Sequence, residues 1–465
     1  MSIRVYNTLT REKAPLETIE ENKVRMYICG PTVYDRAHVG HAMSTVVYDV
    51  IRRYLEYKGY QVHHVMNYTD VEDKVIMRAQ GLGVEPLELA ERYIRDYDQH
   101  LRDLNIKQPH ETPRASEEID TIIEMVEGLI EKGYAYEREG DVFFRVERDE
   151  DYGKLSGRRV EDMRAGARLD IDQRKEDPAD FALWKAAKEG EPSWDSPWGQ
   201  GRPGWHIECS AMNLRYLGEQ IDMHGGGTDL IFPHHENELA QTESLTGKPF
   251  ARFWVHNGML QLRGEKMSKS LGNLISVEEF LEQHKPDVFR MLVLNSQYRG
   301  PLTYNDEVVG QAGNALKRLQ SGLRPAMPAE DVDPAAEEEL AARVKETYAG
   351  FEAAMDDDFN TAGALGSLFD LVRGINQARD AGVGREGVEN AQGTLKELAR
   401  VLGLRLSDER ETPKEAAAFI ELLIEVREEL RQAEEWELAD LVRDRLSDLG
   451  IVLEDSKEGT FWRSK

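Results

Sequence analysis

Apolar positions near the start of the chain alternate first and then recur at helical spacing. Residues 24–28 (VRMYI) read as a buried strand, which Gly30-Pro31-Thr32 breaks. From there Val39, Met43, Val46, Val47, Val50, Ile51, Tyr54 and Leu55 predict one helix, and Gly59 is placed to end it. Residues 61–67 predict a second strand. Strand, helix and strand at this spacing make a βαβ unit, hence parallel strands and a right-handed crossover. Ligands in such folds sit at the carboxyl ends of the strands. Cys29, His38, His41 and Thr69 fall at or just beyond those ends.

Residues 85–133 predict helix, with Gly133 as the stop, and 134–146 alternate around Glu139-Gly140-Asp141 as a hairpin. The stretch 149–203 is charged, turn-rich and contains several tryptophans, so it reads as an insertion between two halves of the sheet. The second half resumes at 204. A short strand, Ile221-Asp222-Met223-His224, runs into Gly225-Gly226-Gly227; a helix follows over about 233–246, then strand over 253–262. Residues 263–275 (RGEKMSKSLGNLI) form a polar loop, and the chain beyond is helical. Pro325, Pro328 and Pro334 among acidic residues suggest a linker, and 341–404 predict helices. A last unit opens at Pro413 and the run from Ala416, and closes on Gly450-Ile451-Val452-Leu453 and a small basic tail. No internal repeat or low-complexity tract interrupts this α/β pattern.

A length of 465 residues implies two to four domains. Hydrophobic content of 40% and charged content of 31% describe a soluble globular protein, and no apolar run approaches a membrane span. The opening MSIRVYNTLTREK has no apolar core, so it is not expected to be a secretory signal. Two cysteines exclude a disulfide framework and suit a reducing cytosol. The net charge of −28 argues against a broad nucleic-acid-binding face and leaves room only for a local basic one.

The two cysteines are the first chemical signal. Cys209 lies in Gly204-Trp205-His206-Ile207-Glu208-Cys209-Ser210, and Pro233-His234-His235-Glu236-Asn237-Glu238 follows. If Pro233 opens a helix, His234 and Glu238 share a face one turn apart. Cys29 and Cys209, both read as lying at strand ends, would complete with them a closed four-ligand zinc site. The plainer alternative is buried cysteines beside a surface His–Glu pair. A zinc hydrolase lacks support, because the H-E-x-x-H order is missing. The second signal is His38-Val39-Gly40-His41 at the start of the first helix. Two imidazoles there, with the free N–H groups of the helix end, can hold phosphate oxygens, and Gly40 leaves the backbone open. The third is Lys266-Met267-Ser268-Lys269-Ser270, whose lysines can close over a triphosphate.

The pair HVGH and KMSKS resembles the two signatures of class I aminoacyl-tRNA synthetases. The set Cys29, Cys209, His234 and Glu238 resembles the zinc ligands of cysteinyl-tRNA synthetases. Further stretches match that family: NTLTR at 7–11, CGPTVYD at 29–35, NYTDVEDK at 67–74, GRPGWHIECSAM at 201–212, HGGGTDLIFPHHENE at 224–238, MDDDFN at 355–360, and the terminal GIVLED with Trp462. Val39 departs from the isoleucine usual in the first signature. The resemblance implies a Rossmann-like catalytic domain in two halves, 1–135 and 204–310, split by a connective insertion over 136–203. It implies a helical tRNA-stem bundle over 311–405 and a small α+β anticodon-binding unit over 406–465. It places Thr69, Trp205, His224 and Asp229 in the cysteine pocket and Gly225, Gly226 and Gly227 beside adenosine. It also places Arg427, Trp436, Asp440 and Asp455 near the anticodon. The implied activity joins L-cysteine to tRNA(Cys) through a cysteinyl-adenylate, with Mg·ATP as co-substrate, one Zn2+ per subunit, and a cytoplasmic monomer as the working form. Two rivals are a ligase passing cysteine to an amino sugar, against which the long C-terminal extension speaks, and a non-catalytic tRNA-binding relative, against which the intact signatures speak.

Overall fold

The computed structural model describes residues 2–159, 172–262, 265–266, 274–325, 333–406, 414–449, 451–456 and 459–464. Its centre is a four-stranded parallel sheet of β1 (Lys23–Ile28), β2 (Gln61–Met66), β3 (Ile221–Gly227) and β4 (Ala251–Asn257), in the order β4–β3–β1–β2. Helix α1 (Val39–Tyr57) joins β1 to β2. Helix α2 (Trp205–Leu217) leads into β3, and α3 (Glu236–Thr246) joins β3 to β4. The direction of travel along the sheet reverses between β1 and β3, where Ile28 pairs with Gly225. A crevice therefore opens at the carboxyl ends of these two strands.

Helix α1 forms as its spacing predicts, burying Val39, Met43, Val46, Val47, Val50, Ile51, Tyr54 and Leu55. It ends at Lys58, and Gly59 takes a φ of +90°. The hairpin at 139–140 also forms: both turn residues have positive φ, 56° for Glu139 and 84° for Gly140, which matches the twist of the strands they join.

Other expectations need correction. The helical run over 85–133 is two helices, Pro86–Asp103 and Ile119–Glu131, preceded by a further helix, Asp73–Leu82. Asn105 at φ 55°, with Pro109 and Pro113, breaks the run. The inserted region carries a four-stranded antiparallel sheet, of which Phe181–Ala186 and Gly201–Pro203 were hidden by the surrounding charge. The glycine run belongs to β3, and the strand expected over 253–262 divides at Gly258 into β4 and Leu260–Leu262, in two sheets. Cys209 sits within α2 and not at a strand end. Pro334 opens a helix, Pro334–Asp356, which packs with Thr361–Asp380 and Arg385–Val401.

The chain divides into two compact units, Met1–Leu404 and Arg405–Lys465. The second has helices Lys414–Gln432 and Trp436–Asp448, an antiparallel pair Ile451–Ser456 and Gly459–Ser464, and a small core around Ile420, Ile424, Leu446 and Leu453.

Candidate active site and metal centre

A cleft of 320 Å³ opens at the reversal point, lined by Cys29, His38, Gly40, His41, Thr69, Trp205, Cys209, Gly227, Asp229 and His234 among others. One end is the start of α1. His38 caps the helix, its Nδ1 accepting the Gly40 N–H at 3.1 Å, and His41 Nδ1 accepts the His38 N–H at 3.4 Å. The two rings stack, centroids 3.7 Å apart and planes at 18°. Both imidazoles are thus fixed beside the partial positive charge of the helix N-terminus, which suits an anionic ligand.

The other end is a buried cluster of donors. The sulfurs of Cys29 and Cys209 are 3.7 Å apart, and Cys29 Sγ lies 3.2 Å from Glu238 Oε1. Glu238 Oε1 also accepts from His234 Nε2 at 2.9 Å, one helical turn away. The four donor atoms all fall within 4.8 Å of one another. A tetrahedral ion with Zn–S bonds near 2.3 Å would hold two thiolates about 3.8 Å apart, so the sulfur spacing fits such an ion. Glu238 and Cys29 lie equally close to His224 and His235. That second set sits farther back, since neither the His224 nor the His235 ring lines the cleft.

Electrostatics point the same way. Burial pushes the Cys29 thiol well above its ordinary range, and Cys209 and Glu238 add to the effect. Burial opposes ionisation of Cys209 too, but its hydrogen bond with Cys29 and the charge of His234 hold it at about 7. Burial disfavours the imidazolium of His234, yet Glu238 and Cys209 raise it to about 10. Glu238 is held well below the carboxylate range by His224 and His234, against its burial. Two thiols and a carboxylate packed this closely, out of water, form a site that a cation stabilises.

The sequence-derived pocket residues separate into two groups. Thr69, Trp205, Asp229 and Gly227 line the cleft. Trp205 stacks on His234, with centroids 4.3 Å apart and planes at 21°. His224 is set back: fully buried, it lies 2.9 Å from Glu238 Oε2 through Nε2 and stacks on Trp254. Gly225 and Gly226 lie behind the wall. A Cβ on Gly225 would come within 2.5 Å of the Tyr48 ring, so the packing of α1 on β3 demands glycine there. Lys266 pairs through its backbone with Gln261, and Lys269 lies outside the described residues.

In the second unit, Arg427 is 2% exposed and donates to Thr460 Oγ1 at 3.2 Å, whereas Trp436 is 56% exposed and Asp440 lies one turn from it on the surface. Asp455 pairs with Thr460 through its backbone. One contact to the donor cluster escaped the sequence reading. His206 Nδ1 lies 3.0 Å from His234 Nδ1 and orients that ring. Its position three residues before Cys209 was the available signal.

Residues 15–314 match the tRNA synthetases class I (C) catalytic domain, 350–407 the DALR domain, and 414–463 the cysteinyl-tRNA ligase anticodon binding domain. The chain is 51% identical to the cysteine–tRNA ligase of Dehalococcoides mccartyi, over 100% of both chains. It is 48% identical to that of Caldicellulosiruptor saccharolyticus, over 98% of this chain and 99% of the relative. Among solved structures it resembles Mycobacterium tuberculosis methionyl-tRNA synthetase in complex with methionyl-adenylate. That likeness has a TM-score of 0.62 at 18% identity and covers 86% of this chain and 94% of the other, so it speaks for the fold alone. The chain belongs to the cysteine–tRNA ligase family of class I aminoacyl-tRNA synthetases.

Proposed function

We propose that this chain activates L-cysteine with Mg·ATP to cysteinyl-adenylate and transfers the cysteinyl group to the 3′ end of tRNA(Cys). The observation that carries the reading is one cleft with an anion-holding helix start at one end and a buried thiol–imidazole–carboxylate cluster at the other. In the first step the cysteine carboxylate attacks the α-phosphate and pyrophosphate leaves. His38 and His41, on the start of α1, stabilise the charge that develops on the phosphates. Lys266 and Lys269 are assigned the same role from the pyrophosphate side. Gly40 and Gly227 leave backbone open to the nucleotide. Thr69 and Asp229 supply polar groups to the amino-acid end, and Trp205, seated on His234, shapes that end. No side chain acts as a covalent nucleophile, so catalysis rests on positioning and electrostatics.

The selectivity problem is one atom, sulfur against oxygen. A pocket that reads shape alone separates such near-isosteres by roughly 10–200-fold. Cys29, Cys209, His234 and Glu238 would hold Zn2+, which offers the substrate thiolate a soft bond that a serine hydroxyl cannot match.

The same reading assigns 1–135 and 204–310 to the catalytic halves, 136–203 to the connective insertion, 311–405 to the stem-contacting bundle and 406–465 to the anticodon unit, where Trp436 and Asp440 present a stacking ring and an acceptor. It includes a cytoplasmic monomer. Among the described residues no helix is long and apolar enough to cross a membrane.

The test is ATP-dependent transfer of labelled cysteine into acid-precipitable RNA from total tRNA, with serine as control. Label from cysteine and not from serine is expected. Adenylate formation without labelled RNA would favour a different acceptor, such as an amino sugar, and the absence of both would overturn the reading.

A further inference from the structure

The cleft carries one cation that the roles above leave unused. Lys74 lines it from the second residue of the helix Asp73–Leu82, and its side chain is exposed at the rim. Its ammonium lies 5.9 Å from the centre of the Tyr34 ring and 6.0 Å from that of Trp205. Among the described residues it makes no ion pair and no side-chain hydrogen bond.

Its neighbours hold it in place and keep its charge free. Glu72 caps the helix, accepting the Lys74 N–H at 2.7 Å. Asp73, the nearest carboxylate in sequence, is taken by Lys185 Nζ at 2.8 Å and by Arg202. Burial opposes ionisation of Asp73, but these two cations hold it below the ordinary carboxylate range. Arg202 lies on the strand Gly201–Pro203, three residues before Trp205, so the contact that saturates Asp73 also ties Lys74 to the indole it overhangs. Trp205 in turn rests on His234. Lys74 thus stands beside Trp205 in the lining of the cleft, with its side chain exposed to solvent.

An anion meeting this position comes in from solvent. We propose that Lys74 binds a backbone phosphate of the RNA 3′ end and so serves the second step of the reaction, an inference that rests on the function proposed above. In that step the terminal ribose hydroxyl oxygen bonds to the acyl carbon of the adenylate and the acyl–phosphate C–O bond breaks. AMP leaves with that electron pair, and the hydroxyl proton passes to its phosphate. Lys74 takes no part in these bond changes; its charge holds the incoming strand in register.

Two variants separate charge from packing. Lys74→Met keeps an apolar stem over the rings, and Lys74→Arg keeps the charge. Cysteine-dependent ATP–pyrophosphate exchange and transfer of labelled cysteine to total tRNA are measured on both and on the native chain, the transfer over a series of salt concentrations. The ratio of transfer to exchange is expected to fall about tenfold or more in Lys74→Met and to recover in Lys74→Arg. The slope of log KM for RNA against log salt is expected to lose about 0.7 in Lys74→Met. Exchange falling in step with transfer overturns the proposal and assigns the cation to ATP or cysteine. An unchanged salt slope also overturns it and leaves Lys74 as packing for Trp205. If the native chain supports neither reaction, the reading of the cleft fails, and this inference with it.

Discussion

His224 serves the donor cluster without lining the cleft. From β3 its ring reaches Glu238 Oε2 at 2.9 Å, and Trp254 stacks on its face at 4.4 Å. A buried carboxylate held by such a partner keeps its orientation toward a metal. His224→Ala is therefore expected to weaken metal binding by about 10–100-fold, read by competition with a chromogenic chelator. Unchanged affinity would mean that His234 alone fixes the carboxylate. At this scale the sequence was legible where chemistry is local. Residue type and spacing point to Cys29, Cys209, His234 and Glu238, and their donor atoms converge within 4.8 Å. Ring direction was not legible: His206 turns to His234, and His224 turns away from the cleft, because packing around each strand and helix sets where a side chain points.

Among the elements, a buried ion pair crosses the join between α1 and the helix Pro286–Leu294. Arg290, fully buried, contacts Asp49 on α1, and donates to the carbonyl oxygens of Leu104 at 2.7 Å, Asn105 at 2.7 Å and Leu402 at 3.1 Å. Burial pushes the Asp49 carboxyl up, but Arg290 and Arg53 hold it below its ordinary range. A depressed carboxylate stabilises the fold at neutral pH and loses that contribution as pH falls through its folded value. Arg290→Met should cost about 3–5 kcal/mol, since it strands the buried carboxylate, and the variant should lose less stability than the native chain on acidification. Urea midpoints at neutral and acid pH measure both, and a loss below about 1 kcal/mol would mean that Arg53 carries Asp49 alone. The same contacts meet the break that Asn105, Pro109 and Pro113 make in the chain. The helical run over 85–133 breaks at 104–114, where carbonyls that would close helical turns accept instead from Arg53 and Arg290. Periodicity along the chain carries no trace of donors that come from so far away.

At the scale of the molecule, the division after Leu404 gives a direct test of how the labour is shared. A chain ending at Leu404 retains the whole cleft and its donor cluster. It is expected to keep cysteine-dependent ATP–pyrophosphate exchange within about twofold and to lose tenfold or more in labelling of tRNA, because the removed unit is the part that matches an anticodon binding domain. Comparable losses in both reactions would show that the second unit supports the cleft itself. The sequence by itself determined the fold class, the βαβ start, the hairpin turn and the family, because these are carried by period, turn chemistry and contiguous motifs. Only the tertiary structure decided that Cys209 reaches the donor cluster from a helix, that the inserted segment forms its own sheet, that Gly225 yields its space to Tyr48, and that Asp73 is saturated from the strand before Trp205. Each of these depends on residues far apart in sequence meeting in space. Local propensity records no such meeting, and the free energy of packing chooses it.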